Sequence, residues 1–194
     1  MPSRPPAPVE EIWLYDSPFN FMIAASIETY PKECAGLLLG YRSWSYLDKI
    51  RRAIIEQAYP FQMPKRTSNT VEIPAKGDAR CKQAIYLLSQ LEPLGYFHSH
   101  PNAEPVPSKS DEKSMEQNEI ELIVTIRKKS RVTSWAYNDA TKRLTGTLGD
   151  YRFEISAHQL VKRSTSNVEK LHILCPYALG VGSKYFDTQA KPPK

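Results

Sequence analysis

Short apolar runs alternate along the chain with stretches broken by proline, and this pattern predicts most of its elements. Asp16-Ser17-Pro18 is a helix-start signal, a capping side chain followed by proline near the first helical position. Phe19, Met22, Ile23, Ser26 and Ile27 then recur at helical spacing, and the helix is expected to end before Pro31. Cys34 to Leu39 is a continuous apolar run of buried-strand length. A second strand, Ile50 to Ala58, follows a polar turn from Arg42 to Lys49. Pro60, Pro64 and Pro74 keep the next stretch out of a sheet centre or a helix interior, because proline lacks the amide hydrogen both require. Within that stretch, Asn69-Thr70-Val71-Glu72-Ile73 can still form a short edge strand. Gly77 to Glu92 reads as an amphipathic helix with Ala84, Ile85, Leu87, Leu88 and Leu91 on one face.

The second half continues in the same way. Leu94 to His100 reads as a strand stopped by Pro101, and Asn102 to Pro107 as a loop held extended by two further prolines. Ser108 opens a helix expected to reach about Gln117. Glu121 to Ile126 is a central strand by its β-branched content. Val132 to Tyr137 and Arg143 to Leu148 flank Asn138 to Thr141 as a hairpin, with Tyr151 to Ile155 as one more strand. Beyond Ser156 the pattern weakens: Ser166 to Leu174 is expected as a short helix and Pro176 to Lys194 as loop and tail. The implied organisation is a flexible proline-rich arm over 1–10, one domain over 11–156 and a basic extension over 157–194. The order of elements predicts an α/β fold, a mixed β-sheet with flanking helices.

Composition changes this picture little. The 194 residues suffice for one domain with a substantial core. No stretch approaches the roughly 20 apolar residues of a membrane span, and the N-terminus has no apolar segment of a secretory signal. Three widely spaced cysteines, Cys34, Cys81 and Cys175, make neither a disulfide framework nor a four-cysteine zinc site, which fits a reducing cytoplasm. Cys34, at the start of an apolar strand, reads as a packing residue rather than a nucleophile. The net charge of +5 is concentrated after Tyr151, where seven Lys and Arg face three acids. With no consecutive basic run and no interleaved aromatics, that reads as a solvated surface rather than a nucleic-acid site.

The chemistry gathers in Gly95-Tyr96-Phe97-His98-Ser99-His100-Pro101 and the Ser108 and Asp111 that follow. Histidines at i and i+2 on a strand share a face and can reach one ion, and a carboxylate one loop later can supply a third ligand. Catalytic zinc characteristically takes three such ligands and keeps its fourth position for water. Ser108-Lys109-Ser110-Asp111 has a second explanation as the capping box that starts a helix, and a helix beginning there would itself orient Asp111. His158 and His172 have no ligand spacing and read as surface residues; Glu104, Glu112 and Glu116 read as a solvated rim.

The spacing His-x-His, seven residues, Ser, two residues, Asp resembles the signature of the JAMM/MPN zinc metalloproteases, a family that includes the proteasome-lid deubiquitinase. Glu33, just ahead of the apolar strand, stands where that signature has its upstream glutamate. The resemblance covers roughly 14–150. It implies a cytidine-deaminase-like MPN fold and one Zn2+ held by His98, His100 and Asp111 with water as fourth ligand. It further implies Glu33 as the proton-shuttling base and Ser108 as a group on the substrate oxygen. The residues alone indicate metal-assisted hydrolysis of an acyl bond. The resemblance narrows this to the peptide or isopeptide bond after the C-terminal glycine of ubiquitin or a ubiquitin-like modifier. Its conjugates would be the partners, with Asn69, Thr70, Val71, Glu72 and Ile73 as the docking edge. A proteasomal or modifier-pathway partner is compatible with this, although the compact chain looks more like a free-standing prokaryotic-type enzyme. Three other readings stay open: processing of a modifier or sulfur-carrier precursor, a non-catalytic MPN scaffold, and a nucleic-acid-associated protein of the RadC type.

Overall fold

A computed structural model describes residues 6–47, 49–62, 65–162 and 167–180. In chain order the elements are β1 (Glu11–Leu14), α1 (Asp16–Thr29), β2 (Ala35–Ser45), β3 (Ile50–Pro60), β4 (Lys65–Arg66), β5 (Val71–Glu72) and α2 (Ala75–Ser89). There follow β6 (Glu92–Pro101), α3 (Lys109–Ser114), β7 (Ile120–Lys128), β8 (Ala136–Asn138), β9 (Arg143–Leu148), β10 (Tyr151–Lys162) and β11 (Asn167–Leu174). The fold is mixed α/β, as the pattern predicts. Nine strands make one sheet in the order β11-β1-β3-β2-β6-β7-β10-β9-β8, while β4 and β5 form a separate two-stranded ribbon.

The sheet closes on itself. The first half of β10 pairs with β9 and its second half with β11, and β11 also runs parallel to β1. An open sheet between helices is therefore replaced by a ring whose inner face is filled by α1. Phe19, Met22 and Ile23 of α1 join Leu38, Ile55, Phe97, Leu122, Val124, Phe153 and Ile173 in one apolar core. The edge of Phe19 meets Trp135 with ring centroids 4.9 Å apart, which ties the β8–β9 hairpin to α1. Strand alternation sends the other residues outward. Ala35, Leu37 and Leu39 of β2 form a smaller cluster with Phe61, covered by Cys81 and Ile85 of α2. His98 and His100 share this outer face with Tyr96, so the site lies outside the ring, beside α2.

Several expectations are corrected. The stretch from Arg42 to Ser45 is not a turn but continues β2; hairpin pairing with β3 accommodates its polar side chains, which are half-buried, and Arg42 Nη2 donates to the Asn118 carbonyl at 2.9 Å. Residues 167–174 form a strand, not a helix, since Leu171 and Ile173 alternate inward between β1 and β10. The pairing with β1 is long-range and leaves no local signature. The boundary expected at 156 falls inside β10, and β11, assigned to the extension, completes the sheet. The start of that expected helix at Ser166, the tail from 181 and residues 1–5 lie outside the described residues. Residues of the expected arm are docked: Val9 is buried, its amide donates to Gln159 Oε1 at 3.0 Å, and Asn118 Nδ2 donates to the Pro6 carbonyl at 2.6 Å. On α2 the packed stripe is narrower than expected, with Leu87 and Leu88 73% and 86% exposed. Asp16 is the first helical residue of α1 and not its cap; Tyr15 holds that position. Among the described residues no helix is long and apolar enough to cross a membrane.

Candidate metal centre

β6 is fixed between antiparallel β2 and parallel β7, with Ala35 opposite His98 and His98 opposite Ile123. Gly95 permits the close approach to β7: its φ is +152°, and a side chain there would meet the Ile120 carbonyl at 1.9 Å. One step along β2, a Cβ on Gly36 would lie 2.2 Å from the Phe97 ring, so the backbone around His98 is packed without slack. Ser99 points inward and donates to nothing at the site; its hydroxyl accepts from the Cys34 amide at 2.9 Å, and its own amide donates to the Cys34 carbonyl at 2.9 Å. These two bonds set residue 33 against the strand that carries His98 and His100.

His98 Nε2 and His100 Nε2 face each other at 2.8 Å, and Asp111 Oδ2 lies 3.6 Å from each. A tetrahedral ion with bonds of about 2.0–2.1 Å to nitrogen and oxygen spaces its ligand atoms by roughly 3.3 Å, so this triangle has the size of one coordination face. Its chemistry fits as well. His98 Nδ1 donates to Glu121 Oε1 at 2.5 Å, and His100 Nδ1 donates to the Glu104 carbonyl at 3.0 Å. A carbonyl can only accept, so the proton of neutral His100 sits on Nδ1; the carboxylate does the same for His98. Both Nε2 atoms then present lone pairs to one point beside a carboxylate oxygen, an arrangement that calls for a cation between them. The surrounding charge agrees. Burial works to lower the His98 pKa, yet the carboxylates of Asp111 and Glu121 outweigh it and raise it, so the site favours positive charge at this point. Burial likewise works to raise the Asp111 pKa, and His100 and His98 beside it hold it well below the usual carboxylate range.

The triangle lies in a cavity of about 590 Å³. One wall is the loop after β6 together with α3, contributing Pro101, Ala103, Ser108, Asp111 and Met115; the opposite wall runs from Ser68 to Ile73. Glu33 is also at this cavity, only 6% exposed, and its amide donates to the Thr67 carbonyl at 2.8 Å. Burial raises its pKa, opposed by the neighbouring His100 and His98. The two readings of Ser108 meet in one geometry. Its hydroxyl accepts from the Asp111 amide at 3.2 Å while Asp111 Oδ2 accepts from the Ser108 amide at 2.6 Å, a complete capping box at the cavity's edge. The helix it starts is shorter than expected and ends at Ser114. Of the expected docking edge, Val71 and Glu72 are strand, paired with Arg66 and Lys65.

Residues 19–138 match the family of prokaryotic homologues of the JAB domain. The chain belongs to this Prok-JAB family. Its fold is similar to the solution structure of protein DSY2949 from Desulfitobacterium hafniense, at 18% identity and a TM-score of 0.60, covering 84% of this chain and 92% of that one. No curated protein matches the chain.

Two of the groups that hold the His98 and His100 rings belong to no motif in the sequence. Glu121 is the one carboxylate of β7 and stands between Ile120 and the apolar run from Leu122 to Val124, which is the signal that marks it. Glu104 is a rim residue by its side chain, yet its carbonyl holds His100, a role no side-chain pattern reveals. His158 is not a surface residue: it is 5% exposed on the same sheet face, bonded to Ser156 and the Pro105 carbonyl, and is not among the ligands. His172 lies elsewhere, beside Tyr137 and Asp139. The Cys34 thiol is buried 3.7 Å from Ser26 Oγ and serves packing.

Proposed function

We propose that this protein is a zinc-dependent hydrolase that cleaves the peptide or isopeptide bond after the C-terminal glycine of ubiquitin or a ubiquitin-like modifier, on a sheet of the cytidine-deaminase-like MPN kind. The observation that carries this reading is the triangle of His98 Nε2, His100 Nε2 and Asp111 Oδ2, sized for one ion, at a cavity that also holds the buried Glu33. His98, His100 and Asp111 would hold one zinc ion, which would make hydroxide available at neutral pH and act as a Lewis acid on the scissile carbonyl.

The chain's own residues do the rest. Glu33 takes the proton of the attacking water and passes it to the departing amine; burial favours its protonated form and so eases the taking of that proton. Ser108 Oγ accepts from the Asp111 amide, which leaves its hydroxyl proton free to donate to the oxygen that gains charge on the substrate. The Val71–Glu72 ribbon offers an extended edge on the opposite wall, where the narrow tail of a modifier adds as a further strand. Modifier conjugates are thus the proposed partners.

The test is cleavage of a panel of ubiquitin-like modifiers joined through their terminal glycine to a lysine, by zinc-loaded wild type and Glu33→Gln side by side. Wild type should turn over and the variant should bind zinc yet lose about 10²–10⁴ in rate. Zinc binding without cleavage by either protein would move a scaffold role ahead of the hydrolase.

A further inference from the structure

The loop between the second histidine and the capping serine carries no metal ligand, but three of its successive carbonyls are each taken by a side chain. Thr125 Oγ1 of β7 donates to the Ala103 carbonyl at 2.9 Å. His100 Nδ1 donates to the Glu104 carbonyl at 3.0 Å. The Pro105 carbonyl accepts from Ser156 Oγ of β10, and His158 Nε2 lies 3.3 Å from the same oxygen. Ser156 and His158 are also 2.8 Å apart. Ser156 has one proton to give and gives it to the carbonyl, so its oxygen accepts from His158 Nε2–H. Both side chains are buried. They belong to the part of the chain that sequence patterning assigns least.

We propose that Ser156 and His158 are positioning residues for the metal centre. By pinning the Pro105 carbonyl to the sheet, while Thr125 pins that of Ala103, they fix the intervening peptide so that the Glu104 carbonyl faces His100. That carbonyl keeps the His100 proton on Nδ1 and leaves Nε2 open to the ion. The same anchor sets where the chain enters α3, and with it Asp111. Ligand histidines held through their second nitrogen generally lose on the order of 10–100-fold in metal affinity when the holding group is removed. Here the removal acts two bonds further out, through backbone. The proposal rests on His98, His100 and Asp111 being a zinc site.

The experiment measures zinc affinity by competition with a chromophoric chelator for the full chain, with Ser156→Ala, His158→Leu, His158→Gln and His100→Ala beside wild type. The nitrogen chemical shifts of His100 in the zinc-free proteins are read alongside. Ser156→Ala and His158→Leu should bind zinc about tenfold or more weakly and show a mixture of His100 tautomers, at unchanged circular dichroism. His158→Gln, which keeps a donor toward Ser156 Oγ and the Pro105 carbonyl, should restore both. A folded Ser156→Ala variant with wild-type zinc affinity and one His100 tautomer overturns the proposal and leaves the metal centre standing. Wild type that takes up no zinc overturns the metal centre, and the proposal with it.

Discussion

The two walls of the cavity are built on opposite principles. The wall formed by residues 101–111 is tied down along its length: the Asn102 amide donates to the Ile126 carbonyl, Thr125, Ser156 and His158 hold its carbonyls, Arg143 reaches Glu104, and a capping box closes it. The wall formed by residues 67–73 is mostly exposed and is held by the Glu33 amide, a two-residue ribbon, bonds between Thr67 and Thr70, and the packing of Val71 and Ile73 against the cluster around Phe61. Every proposed ligand, and Ser108, belongs to the sheet or to the pinned wall. The lightly held wall carries only proposed recognition. Chemistry needs atoms placed to a fraction of an ångström, whereas strand addition tolerates adjustment, and the bonding is distributed accordingly.

The sharpest way to break this comparison is at Ser108. Glycine is nearly as good an N-cap as serine, so Ser108→Gly should leave unfolding and zinc affinity close to wild type. If the hydroxyl serves the reaction, kcat on a modifier conjugate should still fall about 10²–10³-fold. A variant of undiminished rate would reduce Ser108 to a cap.

Acid is expected to act next most strongly, and on the pinned wall. Burial, with the nearby Lys170, His98 and Arg143 adding repulsion, lowers the His158 pKa to about 4 despite its bond to Pro105. The unfolded chain, with an ordinary value near 6.5, therefore binds more protons between those limits, and stability falls as pH drops from about 6.5 towards 4. The loss attributable to this one group is roughly 2–3 kcal/mol. Urea midpoints at pH 7 and 4.5 should separate clearly in wild type and less in His158→Gln; equal separation would place the acid response elsewhere.

The smallest effect belongs to the ribbon. Val71→Pro removes an amide from the free edge and should raise KM about tenfold, the equivalent of one backbone hydrogen bond, with kcat and zinc affinity little changed. A fall in zinc affinity would show that the two walls are mechanically coupled.

What could be read in the sequence divides along the same line. Local signals were legible: α1, the apolar first half of β2, β6 with its paired histidines, and the capping box at Ser108 all rest on residues within a few positions of one another. Glu33 was legible only beside the other four site residues, because a lone glutamate before a strand carries no mark of burial. Closure of the ring was not legible. β11 owes its strand state to β1 and β10, more than 150 residues and about ten residues away along the chain respectively, and its short alternation reads equally well as a helix turn. Ser156 and His158 lie in β10, beyond the last strand the pattern marks, and their role depends on a carbonyl in a loop whose path a sequence does not state.

Closure by β11 also sets an order of events during synthesis. The chain has emitted His98, His100 and Asp111 well before residues 167–174 leave the ribosome, so every proposed ligand exists while β1 and the second half of β10 still lack their shared neighbour. Until then the nascent molecule displays two unpaired strand edges, the surfaces most prone to pairing with another chain. The last strand of the described fold is therefore its protection against aggregation, and a chain cut at residue 162 would keep the full ligand set while losing that protection.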